Sequence, residues 1–347
     1  MKCRVVHRHV AGLIAWGAAS LIGLALTVPE AHAQSWGGAA CLQITPGARA
    51  DGMGRAAVSV ATDATANWWN PAALATQQDR VISLMHTQLV PDLADDVYYE
   101  NLGYAMKLPG WGGVGFSLIY LTYGKSVYVD ATGWEGGEFS SYEVSPQASI
   151  GTEVYPGIGV GLTLKYVYIM LAPAWATGGQ GKGDGDSFGA DLGLLVRSRA
   201  LLPDFQLTPQ FPMTFTLGVN VQNLGPDISF LDRDDADPMP RNLKIGLGVN
   251  VMRTSSFSII TAYDLNKTLV YSEEDPIHNV GAELGFRDFF ALRAGYIYDK
   301  AGDIIDPTFG LGVSVPLSSS EVNFDYANVP QAQVLDRVSK FSVSFRF

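Results

Sequence analysis

The sequence predicts an all-β fold, a transmembrane antiparallel β-barrel of about 14 strands. Three observations predict it. Apolar side chains alternate with small or polar ones along most of the chain, and many of these alternating segments have ten or more residues. Short and long connections also alternate between the segments. Of the 347 residues, 47% are hydrophobic and only 16% are charged. This composition excludes a disordered chain and suits a protein whose outer surface contacts lipid.

Residues 1–33 have the layout of a secretory signal peptide. Basic residues open the chain, an apolar run covers 11–28, and a small-x-small triplet ends at Ala33. This order is typical of a leader that is cleaved, here after Ala33, and an uncleaved N-terminal anchor is the alternative. We therefore expect export and a mature chain that starts at Gln34.

The charge and the cysteine content exclude several classes of protein. Asp and Glu number 34 against 23 Lys and Arg, which gives a formal charge of −11. A nucleic-acid-binding protein is excluded, because it needs basic residues to neutralise phosphates. The only cysteines are Cys3 and Cys41 and there is no CxxC, so a Cys-based zinc site and a disulfide scaffold are excluded as well.

The segment that begins at Ile158 shows the alternation clearly. Its even positions through Tyr168 are apolar or aromatic, whereas the odd positions from Gly159 to Lys165 are small or polar. Because successive side chains of a strand point to opposite faces, one face is apolar and the other is not. The pattern recurs in segments of a length that crosses a bilayer at a tilt. They are 81–90, 97–108, 112–123, 139–151, 157–171, 186–198, 213–224, 241–253, 257–265, 277–287, 289–298, 308–316, 320–327 and 338–347.

The connections support closure into a barrel. Residues 109–111 form a short turn, whereas 232–237 belong to a long acidic loop, and short and long connections generally alternate; the long connection at 199–212 is an exception. In hydrocarbon every backbone polar group needs an internal partner, so a membrane-spanning sheet has to close. A soluble secreted sandwich or propeller is the alternative, but its second face would be rich in Lys and Glu.

No catalytic motif is present. The mature chain has two histidines, His86 and His278, and lacks GxSxG, HExxH and Walker patterns. We therefore expect no enzymatic activity and no cofactor. One acidic loop is a candidate Ca²⁺ site, because carboxylates bind hard cations, although its spacing does not fit an EF-hand and a solvated loop is the alternative. Its residues are Asp232, Asp234, Asp235 and Asp237.

Residues 47–74 differ from the strands that follow. They read GARADGMGRAAVSVATDATANWWNPAAL. In this motif the chain resembles the PorV/PorQ-type outer-membrane proteins, which belong to the FadL-like (OMPP1/FadL/TodX) barrel superfamily. The resemblance implies a fourteen-stranded barrel with an N-terminal hatch, or plug, folded inside the lumen, which places the hatch at 34–80 and the barrel at 81–347. The aromatic C-terminal residue, Phe347, resembles the sorting signal of bacterial outer-membrane proteins.

The motif supplies the candidate site residues. Asn70 precedes a proline, which favours an extended or turn backbone, and its side chain can bond nearby backbone. Two readings stay open: the motif residues only shape the plug, or they border a ligand passage. They are Gly47, Arg49, Gly52, Met53, Gly54, Asp63, Trp68, Trp69, Asn70, Pro71 and Ala72.

Charges on the face away from lipid form a mixed set. Placing them inward avoids the cost of exposing charge to hydrocarbon. Cross-strand pairing and plug anchoring would account for them, and selectivity for a charged solute is the alternative. They are Glu143, Lys165, Asp191, Arg197, Lys244, Glu283, Arg287, Arg293, Lys340 and Arg346.

The resemblance also implies a location and a role. The location is the bacterial outer membrane, with outer-membrane lipid and lipopolysaccharide as surroundings. The role is that of a non-enzymatic component or cargo-binding adaptor of type IX-like protein secretion, with secreted cargo or secretion machinery as partners. A FadL-like passive channel for hydrophobic small molecules, such as fatty acids or hydrocarbons, is the alternative, and a sealed structural barrel without transport is a third possibility.

Overall fold

The computed structural model describes residues 38–130, 132–177, 181–198, 213–230, 236–270, 273–332 and 335–347, so the predicted leader and the connection at 199–212 lie outside it. Within these ranges, fourteen antiparallel strands form a closed barrel in which β1 pairs with both β2 and β14. The strands are β1 (Val81–Gln88), β2 (Val97–Leu108), β3 (Gly112–Val129), β4 (Glu135–Tyr155), β5 (Ile158–Ala172), β6 (Gly183–Arg197), β7 (Thr214–Leu224), β8 (Asn242–Arg253), β9 (Phe257–Thr268), β10 (Ile277–Phe286), β11 (Phe290–Asp299), β12 (Ile304–Pro316), β13 (Glu321–Val329) and β14 (Val338–Arg346).

The largest difference from the predicted segments is at the β3–β4 hairpin. β3 continues to Val129 and β4 begins at Glu135, several residues beyond the alternating patterns. A β-bulge between Thr122 and Lys125 interrupts the register, and the ladder resumes after it. Beyond the bulge most side chains on both faces are exposed, so the apolar alternation stops although the pairing continues.

Apolar side chains cover the outside of the barrel. On β5, Leu162 and Leu164 are 37% and 58% exposed, whereas the neighbouring Thr163 and Lys165 are buried. Large exposed apolar side chains occupy the same outward face on β1, β3, β6 and β12, among them Leu84, Phe116, Phe188 and Phe309. Polar side chains therefore face the lumen and apolar ones face outward, as expected for a barrel in lipid.

Aromatic rings mark one boundary of this apolar surface. His86, Tyr98, Tyr120, Tyr142 and Tyr168 form a continuous row across β1–β5, with successive ring centroids 5.5 to 6.3 Å apart. The row lies at the end of the strands that leads into the long loops. Such a girdle is typical of the interface between hydrocarbon and head groups. Long loops lie on the extracellular side of outer-membrane barrels, so this is the outer interface.

Seven of the ten predicted inward charges lie inside the barrel. Lys165 and Asp191 illustrate them, because their 2.8 Å ion pair is almost completely buried. The other three lie at strand ends on the rim opposite the long extracellular loops, where water is accessible. They are Arg197, Arg287 and Arg346. The seven are Glu143, Lys165, Asp191, Lys244, Glu283, Arg293 and Lys340.

Residues 38–80, called the hatch below, pack against the inward faces of the strands. The hatch contains short helices at Ala48–Gly52 and Ala66–Trp69 and 3-10 turns at Ala40–Leu42 and Pro71–Thr76. Pro71–Thr76 contacts β2–β6, and Ala48–Gly52 contacts β11–β14 on the opposite wall. In the described residues this segment therefore lies on the inner side of the barrel wall, where the resemblance places a hatch. Among the described residues, no helix has the length and apolar character to cross a bilayer.

A charge on the outward face should destabilise the barrel. Leu164 lies on β5 between its short-turn end and Tyr168 of the aromatic row. We expect Leu164→Arg to lower the free energy of unfolding from lipid vesicles by about 2–4 kcal/mol, because arginine near the bilayer centre is costly. Leu164→Phe is the matched control and should behave like the wild type. An arginine variant as stable as the wild type would contradict the outward assignment.

Candidate functional site in the barrel lumen

Asn70 links the hatch to the barrel wall. Its side-chain NH₂ donates to the carbonyl oxygens of Val58 (3.1 Å) and Leu194 on β6 (3.0 Å), and its side-chain oxygen accepts from the Ala72 N–H (3.1 Å). The residue is completely buried. Pro71 follows in the first position of the 3-10 turn, where a missing N–H is harmless. The Asn-Pro-Ala motif thus caps this turn and ties it to β6.

Asn67 makes an equivalent link that the sequence analysis missed. Its NH₂ group lies within hydrogen-bond distance of three carbonyl oxygens, those of Ala64, Tyr104 on β2 and Phe116 on β3. A buried amide that bonds both hatch and wall backbone has its own donors satisfied and ties the two together. The available signal was a lone polar residue within the otherwise apolar run ANWW.

Trp68 and Trp69 are buried against each other and against the wall. Their rings meet edge to face with centroids 4.7 Å apart, and the Trp69 indole N–H donates to the Pro46 carbonyl (3.0 Å). The Lys244 ammonium lies 4.0 Å and 4.7 Å from the two ring centroids, a cation–π geometry. The Trp68 carbonyl also accepts from the Gln222 side chain on β7 (2.6 Å).

Arg49 anchors the hatch through charge. Its guanidinium makes a two-pronged contact with Glu283 on β10, at 2.8 and 3.0 Å. Glu283 also pairs with Arg293 on β11 (2.7 Å), which in turn pairs with Asp325 on β13 (2.7 Å). Two guanidinium groups and two carboxylates therefore alternate in a chain that balances its own charge.

A second charged anchor lies at Asp51, which the sequence analysis did not single out. Its carboxylate pairs with Lys340 on β14 at 2.8 Å and accepts from the Thr45 hydroxyl at 2.6 Å. Lys340 also donates to the Thr45 carbonyl oxygen (3.1 Å). Asp51 is 0% exposed and Lys340 is 3% exposed. Removing Asp51 would leave Lys340 buried without its counterion, and removing Lys340 would leave Asp51 with only the partly exposed Arg55 at 3.4 Å.

The glycines of the GMG sequence allow the hatch backbone to touch the wall. Gly54 has a φ of +66°, and its N–H donates to the Thr308 hydroxyl (2.9 Å), which itself donates to the Gly52 carbonyl (3.1 Å). On the wall, a Cβ at Gly295 would overlap the Gly54 backbone nitrogen. Backbone approach this close leaves no room for a side chain on either side.

The remaining predicted residues lie in the same segment. Gly47 precedes the helix Ala48–Gly52 with a φ of +91°, and its N–H points at the Met85 sulfur on β1. Met53 is buried against β10. Asp63 accepts from the Thr65 backbone N–H at 2.8 Å and begins the next turn. The structure therefore assembles the motif as one packed body.

Two cavities are found in and above the hatch among the described residues. One beside Arg49, Met53, Val60 and Asp63 has a volume of about 10 Å³, the space of a single water molecule. A larger one, about 320 Å³, lies at the extracellular mouth between the β11–β12 and β13–β14 loops and is lined by Asp306, Arg337 and their neighbours.

The candidate Ca²⁺ loop falls largely outside the described residues. Asp232, Asp234 and Asp235 are outside them. Asp237 is described, and its backbone pairs with Ile228 in both directions at 2.7 and 2.8 Å. Within the described part of the chain, no group of three or more His, Cys, Asp or Glu side chains is arranged to hold a metal ion.

Comparison with known proteins identifies the family. The family model described as type IX secretion system protein PorV matches residues 30–275. The chain belongs to the PorV family. No curated protein matches this PorV-family chain.

Solved structures show the same fold at low sequence identity. The toluene transporter TbuX of Ralstonia pickettii is 12% identical, with a TM-score of 0.52 over 86% of this chain and 96% of that one. The toluene transporter TodX of Pseudomonas putida is 15% identical, with a TM-score of 0.52 over 87% of this chain and 96% of that one. The PorV-family chain is thus a bacterial outer-membrane β-barrel with the fold of these two transporters.

The reactivity of the Cys41 thiol can be used to measure whether the hatch is docked in this PorV-family barrel. The residue is 0% exposed, and its backbone N–H donates to Glu143 on β4 (2.8 Å). Burial, reinforced by the Glu143 charge, raises the pKa of the Cys41 thiol well above its usual value. We expect maleimide to label Cys41 roughly a hundredfold more slowly in the folded protein than in urea. Equal labelling rates would show that the hatch is not docked.

Proposed function

We propose that this PorV-family barrel is a non-enzymatic component of type IX-like secretion that binds secreted cargo at its extracellular rim. One observation carries the proposal: within the described residues the hatch packs against opposite walls of the lumen, and the cavity beside Arg49 inside it has a volume of about 10 Å³. Sites for small molecules are typically about 300–1,000 Å³ and largely apolar. A barrel closed in this way suits a platform for proteins better than a route for solutes.

The extracellular rim supplies the surface for such a partner. It combines the projecting β3–β4 hairpin with long loops rich in carboxylates, and the 320 Å³ cavity at the mouth contains Asp306 and Arg337. Proteins recognise one another through surfaces of this mixed kind, with apolar residues and a charged rim. Lipid and lipopolysaccharide would surround the barrel below this surface.

A passive channel for hydrophobic small molecules is the second candidate. It is supported by the fold shared with TbuX and TodX, both described as toluene transporters. In this chain the route would require displacement of a hatch held by Asn67, Asn70 and two buried ion networks. In that case the motif residues would border the passage, whereas under the secretion proposal they only fix the plug.

Two measurements on the full mature protein in lipid vesicles separate these functions. The first is capture of a C-terminal signal domain from a protein secreted by the same organism, with the same cargo lacking that domain as control. The second is toluene or oleate flux, in wild type and in Asn70→Ala. We expect capture of the signal domain and flux equal to protein-free vesicles in both proteins. Flux through the wild type without capture would overturn the proposal, and altered flux in Asn70→Ala would assign Asn70 to a passage.

Export is proposed to depend on the leader at 1–33. Its basic start, apolar run and small-residue end support cleavage after Ala33. N-terminal sequencing of protein from purified outer membranes should begin at Gln34. A chain that retains the apolar run would instead identify an N-terminal anchor.

A further inference from the structure

The upper part of the β3–β4 hairpin is a free-standing ribbon. This ribbon consists of residues 125–129 and 135–140, which pair with each other beyond the bulge, for example Ser126 with Phe139. At about 3.3 Å per residue, the segment from Tyr123 to Val129 adds about 20 Å of strand above the end of β2. The ribbon therefore rises beyond the part of the barrel that lipid surrounds.

Among the residues that the structure describes, neither outer edge of the ribbon has a neighbouring strand. Pairing of β2 with β3 ends at Val97 and Tyr123, and pairing of β4 with β5 ends at Tyr142 and Met170. Within the described ranges, the two ribbon strands pair only with each other. A two-stranded hairpin is marginally stable alone in water, and an unpaired edge is a template for a further strand.

The ribbon also exposes apolar side chains where no lipid covers them. Val127 and Val129 are 48% and 54% exposed on one face. On the other face, Tyr128 and Phe139 contact the ring of Trp175, with centroids 6.1 and 5.9 Å apart. The two valines share this face with the exposed Lys125–Glu138 ion pair (3.7 Å) and offer apolar contact beside the open edge. The valine face is the uncovered one.

The loop beside the β3 edge is acidic. Between β1 and β2, residues 89–96 carry Asp92, Asp95 and Asp96 and no Lys or Arg. The loop touches the ribbon, because the Lys125 N–H donates to the Asp96 carboxylate at 2.8 Å. A strand that pairs with this edge would gain from positive charge on the side chains that face the loop.

We propose that the β3 edge of the ribbon, residues 125–129, binds an extended strand of a secreted protein in which apolar residues alternate with Lys or Arg. The added strand continues the sheet through backbone hydrogen bonds and places its apolar side chains beside Val127 and Val129. Secreted cargo as the source of this strand rests on the proposed function; the strand-pairing edge rests on the ribbon itself.

Hydrogen exchange on the full mature protein in lipid nanodiscs tests the edge. The probes are synthetic peptides of about ten residues: alternating Val and Lys, alternating Val and Glu, and the Val-Lys peptide with two prolines. We expect the Val-Lys peptide alone to slow exchange of amides in 125–129 by about tenfold. Absence of protection, or equal protection by the Val-Glu or proline peptide, would overturn the proposal.

Two matched variants locate the contact. In V127K/V129K, lysines on the edge should abolish the protection, because charged edge residues repel a basic strand and block strand addition. In V127T/V129T the β-branched shape is kept and protection should persist within about threefold. Both sites are half exposed, so the barrel should fold in each case, which slow Cys41 labelling would verify. Protection that survives in V127K/V129K would overturn the proposal.

The cargo experiment distinguishes this inference from the function on which it rests. Capture of the signal domain that is equal in wild type and V127K/V129K would retain the secretion role and refute the ribbon as its docking site. Peptide protection without capture of any signal domain would retain the edge and refute the secretion role. Capture that is lost in V127K/V129K and kept in V127T/V129T is the result expected when both hold.

Discussion

Replacing Gly295 by Val is expected to displace residues 47–60 from the wall while the barrel stays closed. Gly295 on β11 faces Gly54 so closely that a Cβ would overlap the Gly54 nitrogen, and the cross-strand neighbour Gly281 meets the Met53 carbonyl in the same way. Neither backbone can move away, because Gly295 belongs to the hydrogen-bonded barrel ladder and the Gly54 N–H donates to the Thr308 hydroxyl. The hatch therefore has to leave this site.

Maleimide labelling of Cys41 and limited proteolysis would measure this displacement. We expect Cys41 in Gly295→Val to react at a rate approaching that of the unfolded chain, and new cleavage within the hatch. Ala294→Val is the matched control, since it adds the same side chain to the outward face of the same strand. A Gly295→Val protein with protected Cys41 would show that the backbone contact does not position the hatch.

Breaking the Asp51–Lys340 pair is expected to cost about 3–5 kcal/mol of unfolding free energy, the usual loss when one partner of a buried ion pair is removed. The single variants are Asp51→Leu, which leaves Lys340 buried without a counterion, and Lys340→Met, which leaves Asp51 with only the longer contact to Arg55 at 3.4 Å. Urea unfolding from lipid vesicles gives the free energies. The expected loss of unfolding free energy arises from the buried charge that has lost its partner, and the missing attraction between Asp51 and Lys340 contributes less.

The double variant Asp51→Leu/Lys340→Met separates these two causes. With both charges removed, no fully buried ion is left unpaired, because Arg55, which loses Asp51 at 3.4 Å, is partly exposed. We therefore expect most of the stability to return. The Thr45 hydroxyl would still lose its acceptor on Asp51, so a small deficit should remain. Two single variants as stable as wild type, or a double variant as unstable as their sum, would contradict this account of the anchor.

The barrel wall was largely predictable because strand periodicity is a local property. Each segment of alternating residues corresponds to one strand, and the outward face carries the apolar set, as at Leu162 and Leu164. The prediction ended too early at the β3–β4 hairpin because most side chains of the ribbon are exposed and neither face is covered by lipid or by the hatch. An apolar pattern with a period of two residues arises only where one face of the strand is buried or covered by lipid.

The anchors of the hatch were not predictable, because their partners are distant in sequence. Arg49 and Glu283 are separated by 234 residues, and no local pattern pairs them. Glu283 and Lys340 were identified as inward charges, but their partners on the hatch depend on its path through the lumen. Asn70 stood out in the sequence because a proline follows it. Asn67 has no following proline, so the sequence did not mark it as a residue that bonds the wall.

Ion conductance of the purified wild-type protein in planar lipid bilayers tests the central claim most directly. The claim is that residues 38–80 seal the lumen, held by Asn70, Arg49 and Asp51. A barrel of fourteen strands without a plug is wide enough for water and ions. We predict no steady conductance above that of the bare bilayer. A stable ohmic conductance from protein whose Cys41 remains protected would contradict the claim.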